Sequence, residues 1–197
     1  MRVNQPCTSE EYVLPEGSVI ITHTDLQSRI TYANEAFLQS SGFSLEECMG
    51  EPQNLVRHPD MPPEAFRDMW RTVKAGQPWS GVVKNRRKSG GFYWVRAYVS
   101  PRLEGGQKVG YLSVRTKPRG PHFAAAKAVY AALLAYEAEL EAAGTPRKEL
   151  VELSVVRLLE LLAGAGYPDY ASFMHELLPI EVGGLATRAD APPATHP

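Results

Sequence analysis

The chain has 197 residues, 44% of them hydrophobic and 22% charged, with a formal net charge of −1, which is the composition of an ordinary soluble globular domain. The near-neutral charge excludes a global attraction to nucleic acid or acidic lipid, so we expect no nucleic-acid partner. No apolar run approaches the roughly 18 residues that span a bilayer, and the N-terminus lacks the apolar region of a secretory signal, so we expect a cytoplasmic protein with no direct membrane span.

The chain begins with a segment of little periodicity, residues 1–17, which we interpret as an N-terminal cap or flexible lead. Two short β-rich runs follow at 18–22 and 29–33, and the polar link between them predicts a hairpin. Asn34 then occupies the N-cap position of a helix, and Gly42 ends that helix.

Two more helices are predicted before the next β runs. Ser44 and Glu47 have capping-box spacing, which favours a short second helix. Pro62 and Pro63 open the third helix, where a missing N–H is tolerated. Its apolar stripe has helical spacing and consists of Phe66, Met69, Trp70 and Val73.

Two long β runs, 79–88 and 92–101, and a third at 109–117 complete the predicted order β-β-α-α-α-β-β-β. This order belongs to an α+β domain at 18–120, a five-stranded antiparallel sheet with helices on one face. The composition then shifts to Ala, Leu and Glu, which predicts a C-terminal helical region at 121–180.

Within this region an amphipathic helix is expected from the helical spacing of Val129, Leu133, Tyr136 and Leu140. A second helix is expected from Thr145 as N-cap to about Ala163, and a short third one at 169–178. The proline-rich tail, residues 181–197, is expected to be disordered.

Strand 79–88 places one polar side chain on an apolar face. Because side chains alternate along a strand, Trp79, Gly81, Val83 and Asn85 share a face, and the apolar members make it the inner one. A buried amide without a partner costs roughly 1–3 kcal/mol, so Asn85 needs a partner, such as the pyrimidine end of a flavin. Gly81 would let a flat ring approach the sheet. Water or backbone at the strand end could equally satisfy Asn85, and Trp79 alone is more typical of a core residue than of a cofactor wall.

The segment Arg57-His58-Pro59-Asp60 predicts a stiff, charged loop, because a proline drives the residue before it into an extended conformation. In a binding site, Arg57 would supply positive charge to a diphosphate or to a reduced flavin, and Asp60 would orient His58 or Arg57. In a plain surface loop, His58 and Asp60 would only cap the next helix. One His and one Asp without further ligands do not make a metal site.

The sequence contains no nucleophile–base set, no GxGxxG, no P-loop and no paired inward carboxylates, so we expect no enzymatic activity. The basic run 84–88 is split between two strand faces and is not typical of a nucleic-acid site.

From about Thr24 to Arg115 the chain resembles the FAD-binding PAS domain of bacterial aerotaxis receptors. The matching segments are 24–28, 33–34, 56–62, 68–70, 78–88, 93–97 and 114–116. The resemblance implies a PAS fold and noncovalently bound FAD. The residues expected to bind it are Asn34, Arg57, His58, Asp60, Trp79, Asn85 and, as a weaker candidate, Tyr93, with Phe66 and Trp70 on the helix facing the flavin.

We therefore predict a redox or oxygen sensor of the aerotaxis (chemotaxis) type that signals to a partner protein or acts as a homodimer. The transmembrane pair, HAMP unit and methyl-accepting coiled coil of such receptors are not recognisable in this sequence. The character of the C-terminus favours a stand-alone sensor over a fragment of a longer protein.

Three other kinds of PAS domain differ in the residues that they require. A haem-binding PAS domain could use His58 as axial ligand, and a cofactor-free one would serve dimerisation or partner docking. Blue-light LOV chemistry needs a cysteine in the loop before the long helix. That loop, residues 54–60, has none, and Cys48 lies too early. Cys7 and Cys48 lack CxxC spacing and are expected to be reduced thiols.

Overall fold

The computed structural model describes residues 4–176, which are built around a five-stranded antiparallel sheet. Its strands are β1 (Val19–Thr24), β2 (Ile30–Ala33), β3 (Trp79–Arg86), β4 (Phe92–Glu104) and β5 (Gln107–Thr116). They are arranged in the order β2-β1-β5-β4-β3, so β5 is central and β3 is an edge strand. The predicted α+β class and strand sequence are confirmed.

Helix α1 (Glu35–Ser41) begins and ends where its sequence predicts, and α2 (Leu45–Cys48) begins where its capping box predicts. The Asn34 side chain accepts the N–H of Phe37, and Gly42 takes the left-handed conformation at the C-terminus of α1, with φ of 75°. Ser44 and Glu47 form the predicted capping box. Local capping therefore fixes the lengths of both helices.

A 3-10 turn at Gln53–Val56 leads through the Arg57–Asp60 loop into α3 (Pro63–Lys74). Helix α3 packs against β3 and β4 and is tied to β3 by one buried bond: the indole Nε1 of Trp79 donates to Oδ2 of Asp68 over 2.9 Å. The turn, the loop and α3 together roof the inner face of the sheet.

The C-terminal helices are α4 (Gly120–Ala142), α5 (Arg147–Gly164) and α6 (Tyr170–Glu176). Trp94, whose side chain alternates with the inward residues of β4, stacks on Tyr130 of α4 at 6.2 Å between ring centroids. The Tyr130 hydroxyl donates to the Val82 carbonyl oxygen over 3.1 Å and lies 2.6 Å from the Tyr170 hydroxyl. Helices therefore also cover the outer face of the sheet, which the prediction of helices on one face did not include.

Helix α5 begins one residue later than Thr145 predicts, because Pro146 occupies the N-cap position. Helix α6 begins at Tyr170, close to the predicted start, and the predicted end of that helix lies outside the described residues. The predicted disordered tail, 181–197, also lies outside them.

The N-terminal segment makes the contacts of a cap. The Asn4 side-chain amide donates to the carbonyl oxygens of Asn54 and Arg57, both over 2.8 Å. The guanidinium of Arg86 donates to the carbonyl oxygens of Pro6 and Gln5. Residues 4–6 thus connect the start of the chain to β3 and to the loop before α3.

Candidate functional site

A cavity of about 390 Å³ lies between the inner face of the sheet and the roof formed by the 3-10 turn and α3. Its volume is within the range of small-molecule sites. Aromatic and aliphatic side chains form its walls: Val56, Phe66, Met69, Trp70, Trp79, Val83, Ala97, Val99 and Tyr111. Polar residues are contributed by β1, β3, β5 and the rim: Thr22, Thr24, Gln27, Ser28, Gln53, Asn54, Arg57, Asn85, Ser113 and Arg115.

Strand β3 contributes its inner face to the cavity as the alternation predicts. Trp79, Val83 and Asn85 line the cavity, and Asn85 is only 4% exposed. Gly81 belongs to the same face but does not line the cavity, because the Trp79 indole fills the space above it: a Cβ added there would collide with that ring. The expectation that a ligand ring approaches the sheet at Gly81 is therefore wrong.

The Arg57–Asp60 loop runs along the free edge of β3, where Arg57 forms an isolated antiparallel bridge with Asn85. Because successive side chains of an extended segment point to opposite sides, Arg57 faces the cavity and His58 does not. His58 instead packs edge-on against Phe92, with ring centroids 5.9 Å apart. Asp60 pairs with the Lys84 ammonium over 2.6 Å, also outside the cavity lining.

His58 is buried, at 2% exposure, and accepts the N–H of Asp60 at its Nδ1 over 3.2 Å. Burial, together with the positive charges of Lys84 and Arg86, lowers its pKa to about 4, although Asp60 opposes the shift. His58 is thus a neutral imidazole at neutral pH.

This protonation state predicts how stability depends on pH. The unfolded chain takes up a proton on His58 near pH 6.5, whereas the folded chain does so only near 4. Between these values the unfolded state binds more protons, so the free energy of unfolding falls as pH decreases, by about 3 kcal/mol in total. His58→Asn, which keeps an acceptor for the Asp60 N–H, should flatten that pH dependence in urea titrations at pH 7 and pH 4.5. If the free energy of unfolding fell by the same amount between pH 7 and pH 4.5 in the two proteins, this assignment would be contradicted.

Buried polar groups with unused hydrogen-bonding capacity lie at both ends of the cavity: Asn85 and Tyr93 at one end, here called the polar end, and Ser113 at the level of Trp79 toward the other. Asn85 Nδ2 and Ser113 Oγ are buried and make no hydrogen bond of good geometry to any described residue. Tyr93 is the cross-strand neighbour of Asn85, and its fully buried hydroxyl has the Asn85 side chain in range but makes no hydrogen bond of good geometry in the described part of the chain. Burial raises the pKa of Tyr93 to about 12, so it stays a neutral phenol. Buried polar groups are normally paired, so these unpaired groups on a cavity wall are typical of a ligand site.

The lining residues carry two arginines, Arg57 and Arg115, and no carboxylate. Arg57 lies 4.1 Å above the ring centroid of Phe66, and burial lowers the pKa of both guanidinium groups. Neither arginine forms an ion pair with an acidic side chain in residues 4–176. The cavity therefore presents uncompensated positive charge, which suits an electron-rich or anionic ligand.

Of the nine residues predicted for the site, the structure brings five to the cavity: Arg57, Phe66, Trp70, Trp79 and Asn85. Asn34 lies elsewhere, because its carboxamide caps α1 and bonds to the backbone of Ile21 and Val19 on β1. His58, Asp60 and Tyr93 do not line the cavity either, although Tyr93 lies directly behind Asn85, its partner across β3 and β4.

Sequence reasoning did not single out the polar residues that β1 and β5 contribute, chiefly Thr22, Ser113 and Arg115. A signal for them existed: on β5, Ser113 and Arg115 alternate with the apolar Leu112 and Val114. Two polar residues that share one face of a central strand indicate that this face lines a polar site.

Comparison with known proteins identifies the class of this domain. Residues 30–115 match the family model of the PAS fold, and the chain contains a PAS domain. That domain is homologous to the one in the aerotaxis receptor of Escherichia coli K12, which is 50% identical over 126 residues, 64% of this chain and 25% of the receptor. The nitrogen fixation regulatory protein of Klebsiella pneumoniae is 35% identical over 91 residues, 46% of this chain and 18% of that protein.

The chain thus spans about a quarter or less of the length of these curated relatives. Among solved structures, a light-oxygen-voltage domain studied with a flavin analogue is similar at 26% identity and a TM-score of 0.48, covering 55% of this chain and 81% of that one. No helix within residues 4–176 has the length and apolar character required to cross a membrane.

Proposed function

We propose that this protein is a cytoplasmic FAD-binding PAS sensor that responds to redox state or oxygen and passes the signal to a partner protein or within a homodimer. The observation that carries the proposal is the buried Nδ2 of Asn85, which makes no hydrogen bond of good geometry to a described residue and lies on the wall of a cavity with no described carboxylate in its lining. The FAD assignment comes from the resemblance to aerotaxis-receptor PAS domains, and the 50% identity to one such receptor supports it.

The residues of the cavity fit a flavin ring. Trp79, Trp70 and Phe66 provide aromatic walls, and Asn85 at the polar end can donate through Nδ2 or accept through Oδ1. A bound flavin would supply reversible redox chemistry, and reduction makes the pyrimidine edge of its ring more negative. The polar rim residues Gln53 and Asn54 are positioned to meet the part of FAD outside the ring pocket.

Asn85 is the switching residue in this proposal, because its carboxamide can rotate and exchange donor for acceptor. Arg57 favours the more negative state by its charge. A change of one or two such hydrogen bonds amounts to roughly 1–3 kcal/mol, a 5- to 150-fold shift between two conformations.

Two contacts could carry this shift away from the cavity. The Arg57 backbone accepts from Asn4 of the N-terminal segment, so a movement of the loop reaches residues 4–6. Strand β3 accepts from Tyr130 of α4 at Val82, so a movement of β3 reaches the C-terminal helices. The free thiols Cys7 and Cys48 agree with a reducing compartment.

The geometry gives less support to the rival cofactors. His58 does not line the cavity, so it is not placed to ligate a haem iron held there. Neither Cys7 nor Cys48 lines it, and burial raises the pKa of the Cys48 thiol to about 11, so the thiolate that a flavin adduct needs is not available. The remaining alternative is a cofactor-free docking domain.

A titration tests the proposal against that alternative. The purified chain is stripped of any bound ligand and titrated with FAD, FMN and riboflavin while flavin fluorescence is followed. The proposal expects one flavin to bind per chain, with saturation. It also expects limited proteolysis within residues 120–176 to proceed at different rates when the bound flavin is oxidised and when it is reduced. A folded protein that binds none of the three flavins contradicts it.

A further inference from the structure

Arg115 occupies an unusual place for an arginine. It lies on the central strand β5, opposite Ile20 of β1 and Ala97 of β4, and is only 6% exposed. Its side chain lines the cavity. The guanidinium makes one side-chain hydrogen bond, from Nη1 to Oγ1 of Thr22 over 3.1 Å. No acidic side chain in the described part of the chain pairs with it.

Such an arrangement does not favour folding. A buried charge loses its hydration, and an arginine without an anionic partner regains little of that loss. The neighbouring cross-strand positions, Ile20 and Ala97, are apolar, so an apolar residue would suit this place in the sheet. The charge is therefore retained for something that enters the cavity.

The groups that face Arg115 are all neutral or positive. Thr22 faces it from β1, and the Phe37 ring from α1 lies 6.0 Å from the guanidinium carbon. The neutral Tyr93 hydroxyl on β4 interacts with it electrostatically. Arg57 adds a second positive charge to the lining. No described group that lines the cavity carries a negative charge that would neutralise these two arginines.

We infer that Arg115 is the positioning residue that sets the reduction potential of the flavin, by holding its buried charge beside Thr22 on the cavity wall that the ring would face. The inference rests on the proposed function and deepens it. Reduction by an external electron donor delivers two electrons and one proton to the bound ring, which gains one negative charge, and the Arg115 guanidinium keeps all its protons throughout. Arg57 acts more weakly because it is half-buried and its guanidinium is engaged with Phe66.

The test measures two affinities for each variant. The full chain, stripped of flavin, is titrated with oxidised FAD and, under dithionite, with reduced FAD. Arg115→Met should weaken the binding of reduced FAD at least tenfold more than that of oxidised FAD, equivalent to a potential about 30 mV more negative. Arg115→Lys should restore most of the difference, and Arg57→Gln should produce a smaller one. Because affinities are compared, a variant that binds weakly still gives a result.

A second measurement separates a charge role from a structural one. Flavin-free Arg115→Met should be as stable to urea as the native chain or more so, because an uncompensated buried charge has been removed. A native chain that binds no flavin would overturn the proposed function itself. Flavin binding with the same ratio of affinities in Arg115→Met, or a clear loss of flavin-free stability in that variant, would overturn only the assignment of Arg115.

Discussion

Asn85→Ala is expected to weaken FAD binding by 5- to 150-fold, as measured by fluorescence titration. The Nδ2 of Asn85 is buried at the polar end of the cavity and makes no hydrogen bond of good geometry to a described residue, with only the Tyr93 hydroxyl in range, so a ligand is the group that would satisfy it fully. Loss of one or two hydrogen bonds to the ring corresponds to roughly 1–3 kcal/mol of binding free energy. Removing an unpaired amide also spares a desolvation cost, so the flavin-free variant should be no less stable than the native chain.

Ser80→Ala is the matched control for Asn85→Ala. Ser80 lies on the same strand, its hydroxyl is also buried without a described partner, and it does not line the cavity. The Ser80→Ala substitution should leave FAD affinity within a factor of about two of the native value, and its effect on stability should be as small as that of Asn85→Ala. Equal FAD affinity in Asn85→Ala and in the native chain would remove Asn85 from the site.

Trp79→Ala is expected to lower the free energy of unfolding by about 3–5 kcal/mol in urea denaturation, the range for deletion of a buried aromatic side chain. Trp79 is 5% exposed, its ring fills the space above Gly81, and its indole N–H supplies the hydrogen bond that ties β3 to Asp68 on α3. The substitution also removes one wall of the cavity, so FAD binding should be lost even at temperatures where the variant is folded.

Trp79→Phe distinguishes the two roles of Trp79, its aromatic surface in the cavity and its hydrogen bond to Asp68 on α3. Phenylalanine keeps an aromatic surface facing the cavity but cannot donate to Asp68, so the expected loss of stability is about 1–2 kcal/mol with most FAD affinity retained. If the urea midpoint of unfolding of Trp79→Ala equals that of the native chain, Trp79 does not hold α3 to the sheet.

The elements that the sequence predicts well are those decided by neighbours in the chain. Asn34, Gly42 and the Ser44 capping box fix helix ends through contacts a few residues away. The inward direction of Asn85 follows from strand alternation alone, and the structure places it on the cavity wall. These inferences need no knowledge of which strands are adjacent.

The sequence is less informative where strand order decides the outcome. His58 and Asp60 lie outside the cavity because their loop follows the free edge of β3, and β3 is an edge strand only in the assembled sheet. Arg115 becomes central through pairing of β5 with β1 and β4, segments far apart in sequence. The outer layer of α4 depends on Trp94 meeting Tyr130, another long-range contact.

The visible absorption spectrum of the purified native chain tests the central claim most directly. We expect the two-band spectrum of an oxidised flavin, bleached by dithionite and restored by air, with FAD as the compound released on denaturation. A colourless, folded preparation that also rejects added FAD, or one with the single intense Soret band of haem, would contradict the account.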